Sequence, residues 1–130
     1  RQTYAKAYQA AADSNSIKKL PPGFPGIDEY CIEVSSIIPG KDSSFYTPLG
    51  YAVLKQRKKL TEHLIQNKSN TEKGMSSGES PLQIACKKKG NSEMVKLLLA
   101  NGGSPYQLSQ HYVTIIKRLS FDHLNTFSQT

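Results

Sequence analysis

The sequence predicts an all-α fold, a solenoid built from stacked helical hairpins. The main observation is an internal repeat: residues 47–52 (TPLGYA) return 33 residues later as residues 80–85 (SPLQIA). Each copy is followed by a basic run and then by a second helical pattern. A repeat of this length indicates units that cannot bury their apolar faces alone and must stack on each other. The modest hydrophobic share of 37% suits such an elongated, surface-rich shape.

Each copy begins with residues that can start a helix. Thr47 and Ser80 carry hydroxyls that can accept hydrogen bonds from first-turn amides. A proline follows each of them, at the first helical position, where a missing N–H costs nothing. Apolar spacing then predicts a short first helix, a turn and a second helix in both copies. In the later copy Asn101-Gly102-Gly103 ends that second helix, whereas Lys68 stands where the earlier copy would have its terminal glycine.

Two further helices are expected upstream. Apolar or small residues at 4, 7, 8 and 11, and again over residues 27–38, follow the spacing of a helix. Residues 20–26 (LPPGFPG) separate the two segments and cannot be helical. Such a helix pair would cover the exposed apolar end of the stack.

A truncated unit is expected downstream, because Thr114 falls in the slot of Thr47 and apolar residues follow it. The predicted organisation has three parts. Residues 1–40 form a helical N-terminal cap or the end of an upstream region, residues 41–105 form two repeats, and residues 106–130 form a degenerate capping repeat.

The repeated pattern, T-P-L-x-x-A, a helix turn and then x-V-x-x-L-L-x-x-G, resembles the ankyrin repeat. Residues 80–104 match it well, and residues 47–70 match it in degenerate form, with Gly50 in place of the usual histidine and Gln56-Arg57 in place of Gly-His. The resemblance covers roughly residues 42–105. It implies an ankyrin-type solenoid with two clear repeats, a helical N-terminal cap and a degenerate C-terminal half-repeat. It also implies a protein-interaction module rather than an enzyme.

The resemblance further implies a binding surface, since partners of ankyrin repeats bind the concave side, formed by the loop tips and the exposed ends of the first helices. Tyr46 is the expected contact anchor, because an exposed tyrosine offers area and a hydrogen-bonding group at low entropy cost. The alternative for Tyr46 is packing against Phe45 or the neighbouring loop. The positions that match the concave side are Ser43, Ser44, Tyr46, Leu54, Lys55, Ser76, Ser77, Glu79, Lys87 and Lys88, and in the truncated unit Gln110, His111 and Val113.

The net charge of +7 favours an acidic protein, nucleic acid or anionic lipid as partner. Residues 55–59 and 87–89 are basic runs at the same place in successive units, so stacking would align them into a stripe that suits an acidic protein. The alternative is that these lysines complement helix dipoles and keep the solenoid soluble. Nucleic acid is not expected, because aromatic residues are not interleaved with the basic ones.

No catalytic residue, metal or cofactor is expected. The sequence contains no hydrolase, phosphate-loop or dinucleotide motif, and Cys86 falls at a small, buried position of the repeat. The scattered histidines and cysteines do not form a metal-binding pattern. Cysteine usage and the absence of a long apolar run favour an intracellular, cytoplasmic protein without a membrane span. The sequence does not indicate an oligomeric state.

A second hypothesis is an accessory or targeting domain of a larger, possibly catalytic protein. One example is a bacterial effector that acts in the cytoplasm or nucleus of a host cell.

Overall fold

The computed structural model describes residues 2–36, 38–88 and 90–102 of the 130-residue chain. Five α-helices and a two-stranded sheet lie within this part of the chain. A single 3-10 turn at Ile17–Lys19 follows the first helix. The elements, in chain order, are α1 (Gln2–Ser14), β1 (Ile32–Val34), β2 (Ser44–Tyr46), α2 (Pro48–Leu54), α3 (Lys58–Gln66), α4 (Pro81–Cys86) and α5 (Ser92–Ala100).

The predicted stack of helical hairpins is confirmed. Helix α2 packs against α3, and α4 packs against α5, so each copy of the sequence repeat forms one hairpin. The first helices of the two hairpins also pack on each other, and α1 continues that inner row on the other side of α2. The 3-10 turn after α1 packs against α3, and it therefore occupies the outer position where a full second helix would stand.

The sequence signals at the helix starts act as predicted. The backbone N–H of Gly50 donates to Thr47 Oγ1 at 3.1 Å, and that of Gln83 donates to Ser80 Oγ at 3.1 Å. Each cap satisfies one of the amides that a helix start otherwise leaves without a partner. The two hairpins therefore begin with the same hydrogen bond.

The core runs along the inner row and between the two helix layers. Leu49 is 0% exposed and Leu82 is 1% exposed, and Ala52 and Ala85 beside them are fully buried. Full burial of a leucine side chain contributes about 1.5–3 kcal/mol, whereas the alanines leave room for a close approach of the neighbouring helix. These repeated positions therefore supply both the stability of the stack and its spacing.

Polar side chains join α1 to the hairpin that follows. The guanidinium of Arg57 donates from Nε to the carbonyl oxygen of Ala12 at 2.8 Å and from Nη2 to that of Asp13 at 3.4 Å. The hydroxyl of Tyr51 donates to the Asp13 carboxylate, and Lys55 Nζ lies 4.0 Å from the same group. The C-terminal end of α1 is thus held by three side chains from α2 and the connection that follows it.

The helix predicted over residues 27–38 is wrong. Within this stretch β1 pairs antiparallel with β2, with Ile32 opposite Tyr46, Glu33 opposite Phe45 and Val34 opposite Ser44. Ile32 is buried and Glu33 is exposed, which is the alternation of a strand with one covered face. Beta-branched residues at alternate positions favour this conformation, and short apolar runs fit a strand as well as a helix.

Several predicted features lie outside the described residues. They are Ile37, Lys89 and the whole truncated unit that was expected around Thr114. Within the described part of the chain, no helix combines the length and the apolar character needed to cross a membrane.

Candidate partner-binding surface

Strands β1 and β2 form a finger that projects from the start of the first hairpin. Neighbouring residues of a strand point to opposite faces, so Phe45 and Tyr46 on β2 have opposite environments. Tyr46 is 6% exposed and lies on the covered face with Ile32, whereas Phe45 is 44% exposed. The expectation that Tyr46 is an exposed contact anchor is therefore wrong, and the alternative, a packing role, applies.

Tyr46 lies in a partly charged environment. Burial raises the pKa of its hydroxyl above the usual value, the Glu79 carboxylate raises it further, and Lys87 opposes the shift. Two other predicted site residues therefore lie close enough to act on this ring electrostatically. The structure brings these three together, although the chain separates them by up to 41 residues.

Phe45 is the exposed aromatic residue that the sequence reasoning missed. Its backbone is fixed on both sides: its N–H donates to Ser76 Oγ at 2.6 Å, and its carbonyl accepts from Ser76 N–H at 3.1 Å. These bonds join the finger to the loop before α4. The available signal was strand alternation, because a Tyr46 that faces the core requires Phe45 to face solvent.

The loop before α4 carries three more of the predicted residues. Ser76 and Ser77 are exposed, and Ser77 Oγ donates to Glu79 Oε1 at 3.4 Å. Glu79 forms an ion pair with Lys87, whose side chain reaches back along α4 from the C-terminal end of that helix. We call the resulting continuous surface the finger patch; it consists of Ser44, Phe45, Ser76, Ser77, Glu79 and Lys87.

The remaining predicted residues are more dispersed. Ser43 is half-buried in the hairpin loop, and Leu54 is half-buried at the end of α2. Lys55 follows it, at the opposite end of α2 from the finger. Its Nζ atom lies 4.0 Å from Asp13 Oδ1 and 5.5 Å from the ring centroid of Tyr51. Lys88 is exposed next to Lys87. Gln110, His111 and Val113 lie outside the described residues.

Two of the three lysines predicted to bind a partner from the basic stripe form intramolecular ion pairs. Lys55 pairs with Asp13 and Lys87 pairs with Glu79, so Lys88 alone among the three predicted lysines has no carboxylate partner within the described chain. Lys55 and Lys87 occupy the C-terminal caps of α2 and α4, where a helix dipole favours a cation. The alternative reading, dipole complementation, therefore describes these two residues well.

Lys58 and Lys59 have the opposite placement. They occupy the first turn of α3, which contains no acidic residue, and the helix dipole disfavours cations there. Lys58 lies 3.6 Å from Glu93 at the start of α5. A favourable interaction with a helix dipole therefore explains Lys55 and Lys87 but does not explain Lys58 and Lys59.

Cys86 packs as a small apolar residue at the end of α4. It is buried, and desolvation raises the pKa of its thiol to about 11, so it carries little of the thiolate that a nucleophile or metal ligand needs. Among the residues that the structure describes, no three side chains of the histidine, cysteine, aspartate or glutamate type gather into a possible metal site.

A comparison with protein families adds an independent finding. The family model for ankyrin repeats matches residues 9–108 in three copies, so the match includes the C-terminal part of α1, from residue 9 on, as well as the two hairpins. A search of curated proteins found no match. Because the family match covers most of the chain and the structure has the hairpin stack that ankyrin repeats form, this chain belongs to the ankyrin repeat family.

Proposed function

We propose that this chain binds another protein, one with an acidic surface, through the concave face of its ankyrin stack and the adjoining finger patch. Ankyrin repeats are generally protein–protein interaction modules, and the helix stack offers a rigid platform for such a role. Recognition needs little rearrangement of this platform, so the ordering cost of binding is low.

Exposure of Phe45 is the observation that carries this proposal. An aromatic side chain that remains 44% exposed on a strand with both backbone groups bonded is already in place for contact. Buried aromatic anchors commonly supply a large share of the binding free energy at protein interfaces. Exposed serines beside Phe45 can provide the polar rim, and the Glu79–Lys87 pair stands at the edge of the same surface.

Preference for an acidic partner is supported by the net charge of +7 and by exposed Lys88. Charges at the rim of an interface mainly accelerate association and make it dependent on salt. Because Lys55 and Lys87 already pair within the chain, reversing their charges would also break those pairs and mix two effects. Lys88→Glu is therefore the sharper single test of the electrostatic part.

The experiment is to capture partners with the folded chain and to measure the affinity of the captured protein for variants. Phe45→Ala should weaken binding by at least about tenfold, which is the effect of losing roughly 1.4 kcal/mol at an anchor. Ile17→Ala is the matched control, because Ile17 is similarly exposed at 41% but lies outside the finger patch. Melting curves of both variants would verify that they remain folded.

Lys88→Glu should slow association with the same partner and flatten its salt dependence, with little change in melting temperature. Equal affinity of Phe45→Ala and the unaltered chain would reject the finger patch as the binding surface. An unchanged association rate for Lys88→Glu would reject the acidic preference alone. The accessory-domain hypothesis stays a prediction, since no contact among the described residues bears on it.

A further inference from the structure

A second surface feature lies where the connections after α1 and α2 meet, at the opposite end of α2 from the finger. There the chain leaves α1 and α2, and residues 15–18 and 56–59 face each other across an open cleft of about 690 Å³. Small-molecule sites in proteins commonly have volumes of roughly 300–1,000 Å³. The cleft is therefore large enough for a ligand of that class.

The lining of this cleft is strongly cationic. It contains Lys18, Arg57, Lys58 and Lys59, and no acidic residue. Arg57 is occupied by the carbonyl oxygens at the end of α1, and Lys58 lies 3.6 Å from Glu93. Within the described part of the chain, Lys18 and Lys59 have no carboxylate partner. One comes from each wall, so the cleft has an unneutralised cation on both sides.

Folding accounts for Arg57, which holds the end of α1, and for Lys58, which pairs with Glu93, but the contacts of the described residues give no such role to Lys18 and Lys59. Like charges that line one cleft repel each other, and because these lysines are exposed, water and salt screen part of that repulsion. Lys58 and Lys59 also stand in the first turn of α3, where the helix dipole adds to the unfavourable energy. An anion bound between the two walls would offset both the repulsion between the lysines and their unfavourable interaction with the dipole of α3.

The chemistry of the lining restricts the kind of anion. Since no aromatic ring lines the cleft, it offers no stacking surface for a nucleobase. The one guanidinium is already bonded to backbone, so recognition depends on lysine ammonium groups, which act as point charges on phosphate oxygens. Both features favour a compact polyanion without a base.

We propose that this cleft binds a compact polyanion that carries two or more phosphate groups, held between Lys18 and Lys59. Such groups occur on soluble polyphosphates and on phosphorylated lipid headgroups, and the same cations would recognise either source. This site is separate from the finger patch and does not depend on the proposed protein partner.

Calorimetric titration of the whole chain with tripolyphosphate tests the proposal. We expect saturable binding that Lys18→Gln combined with Lys59→Gln weakens by at least about tenfold, the effect of losing roughly 1.4 kcal/mol. The matched control is Lys6→Gln combined with Lys41→Gln, which removes the same charge from exposed positions outside the cleft. That control should change the affinity by less than about twofold, and both double variants should melt like the unaltered chain.

Two further measurements identify where the phosphate groups bind and which kind of molecule carries them. Amide resonances of Ile17 and Lys59 should shift on titration with tripolyphosphate. Binding only to vesicles that contain phosphatidylinositol bisphosphate, and only with the cleft lysines intact, would support the proposal with a lipid headgroup as the source.

Three results would overturn it: no binding to either phosphate source, equal loss of affinity in both double variants, or tighter binding of a polyglutamate peptide than of tripolyphosphate. The last result would instead assign the cleft to an acidic protein segment. A failure of the Phe45→Ala test would leave all these measurements unaffected, so the two proposals can fail separately.

Discussion

The side chain of Met75 fills the space that a side chain on Gly50 would need. A Cβ atom added to Gly50 would overlap Met75 Sδ and lie 2.8 Å from its Cε atom. Met75 is itself buried, and the backbone N–H of Thr47 lies 3.3 Å from its sulfur. The degenerate glycine of the first hairpin is thus matched by a methionine from the following loop, which packs over the start of α2.

Replacement of Gly50 by alanine should therefore have opposite effects in two backgrounds. In the unaltered chain we expect Gly50→Ala to destabilise by about 1–3 kcal/mol through overpacking. In a Met75→Ala chain the same change should stabilise by up to about 1 kcal/mol, because alanine is the better helix former. Chemical unfolding of the four chains of this double-mutant cycle measures both effects. The same sign in both backgrounds would contradict the packing relationship.

Lys68→Gly should stabilise the chain by about 1 kcal/mol, since a left-handed backbone is costly for residues with a Cβ atom. Lys68 has a φ of 71°, and it occupies the position after α3 where the repeat pattern calls for glycine. Lys68→Ala is the control, because it removes the same charge and keeps the Cβ atom. Urea unfolding compares the variants, and an equal gain for alanine would show that the charge, not the backbone, is responsible.

Alkaline solution should weaken the fold through Tyr51. Burial, followed by the hydrogen bond and charge of Asp13, raises the pKa of the Tyr51 hydroxyl from 10.0 to about 12. Above pH 10 the unfolded chain therefore loses a proton that the folded chain keeps. The stabilisation is fully present below pH 10 and is lost as the pH approaches 12, on the order of 2 kcal/mol in total.

Tyr51→Phe should make the free energy of unfolding fall less steeply between pH 10 and 12. It should not abolish the fall, because burial also raises the pKa of Tyr8 and of Cys86. Measurement of unfolding at several pH values gives the two slopes, and identical slopes would contradict the assignment to Tyr51.

Cys86 should resist alkylation in the folded chain. With a pKa of about 11, only about one thiol in a thousand is ionised at pH 8, and its burial also restricts access. In a Cys31→Ser chain we expect iodoacetamide to modify Cys86 at least about 100-fold more slowly than after unfolding in urea. Mass spectrometry follows the reaction, and similar rates before and after unfolding would show that the thiol is accessible.

The parts of the fold predicted from sequence are those that local chemistry determines. Thr47 and Ser80 predict where their helices begin, because each cap needs only its own hydroxyl and the backbone amide three residues later. The left-handed backbone at Lys68 is recognisable for a similar reason, since the repeat pattern marks the position. Burial of Leu49 and Leu82 follows from helical spacing combined with the stacking of the units.

The strands were missed because short apolar runs fit two periods. The apolar residues at 27–38 have the spacing of a helix. A strand forms there instead because residues 32–34 pair with β2, and the spacing of apolar residues does not reveal that pairing. That error also hid the alternation that exposes Phe45 and buries Tyr46. The Glu79–Lys87 and Lys55–Asp13 pairs were not predicted either, since an ion pair depends on where two side chains meet in space.

The junction between α1 and α2 carries polar contacts in addition to close packing. Buried alanines occur in all three helices of the inner row, at Ala11 and Ala12 in α1, Ala52 in α2 and Ala85 in α4. The polar contacts come from Tyr51, Lys55 and Arg57, all of which reach groups at the end of α1. A different neighbour inserted between α1 and α2 would lose all three of these contacts, so the order of α1 and the first hairpin is fixed by side chains as well as by stacking.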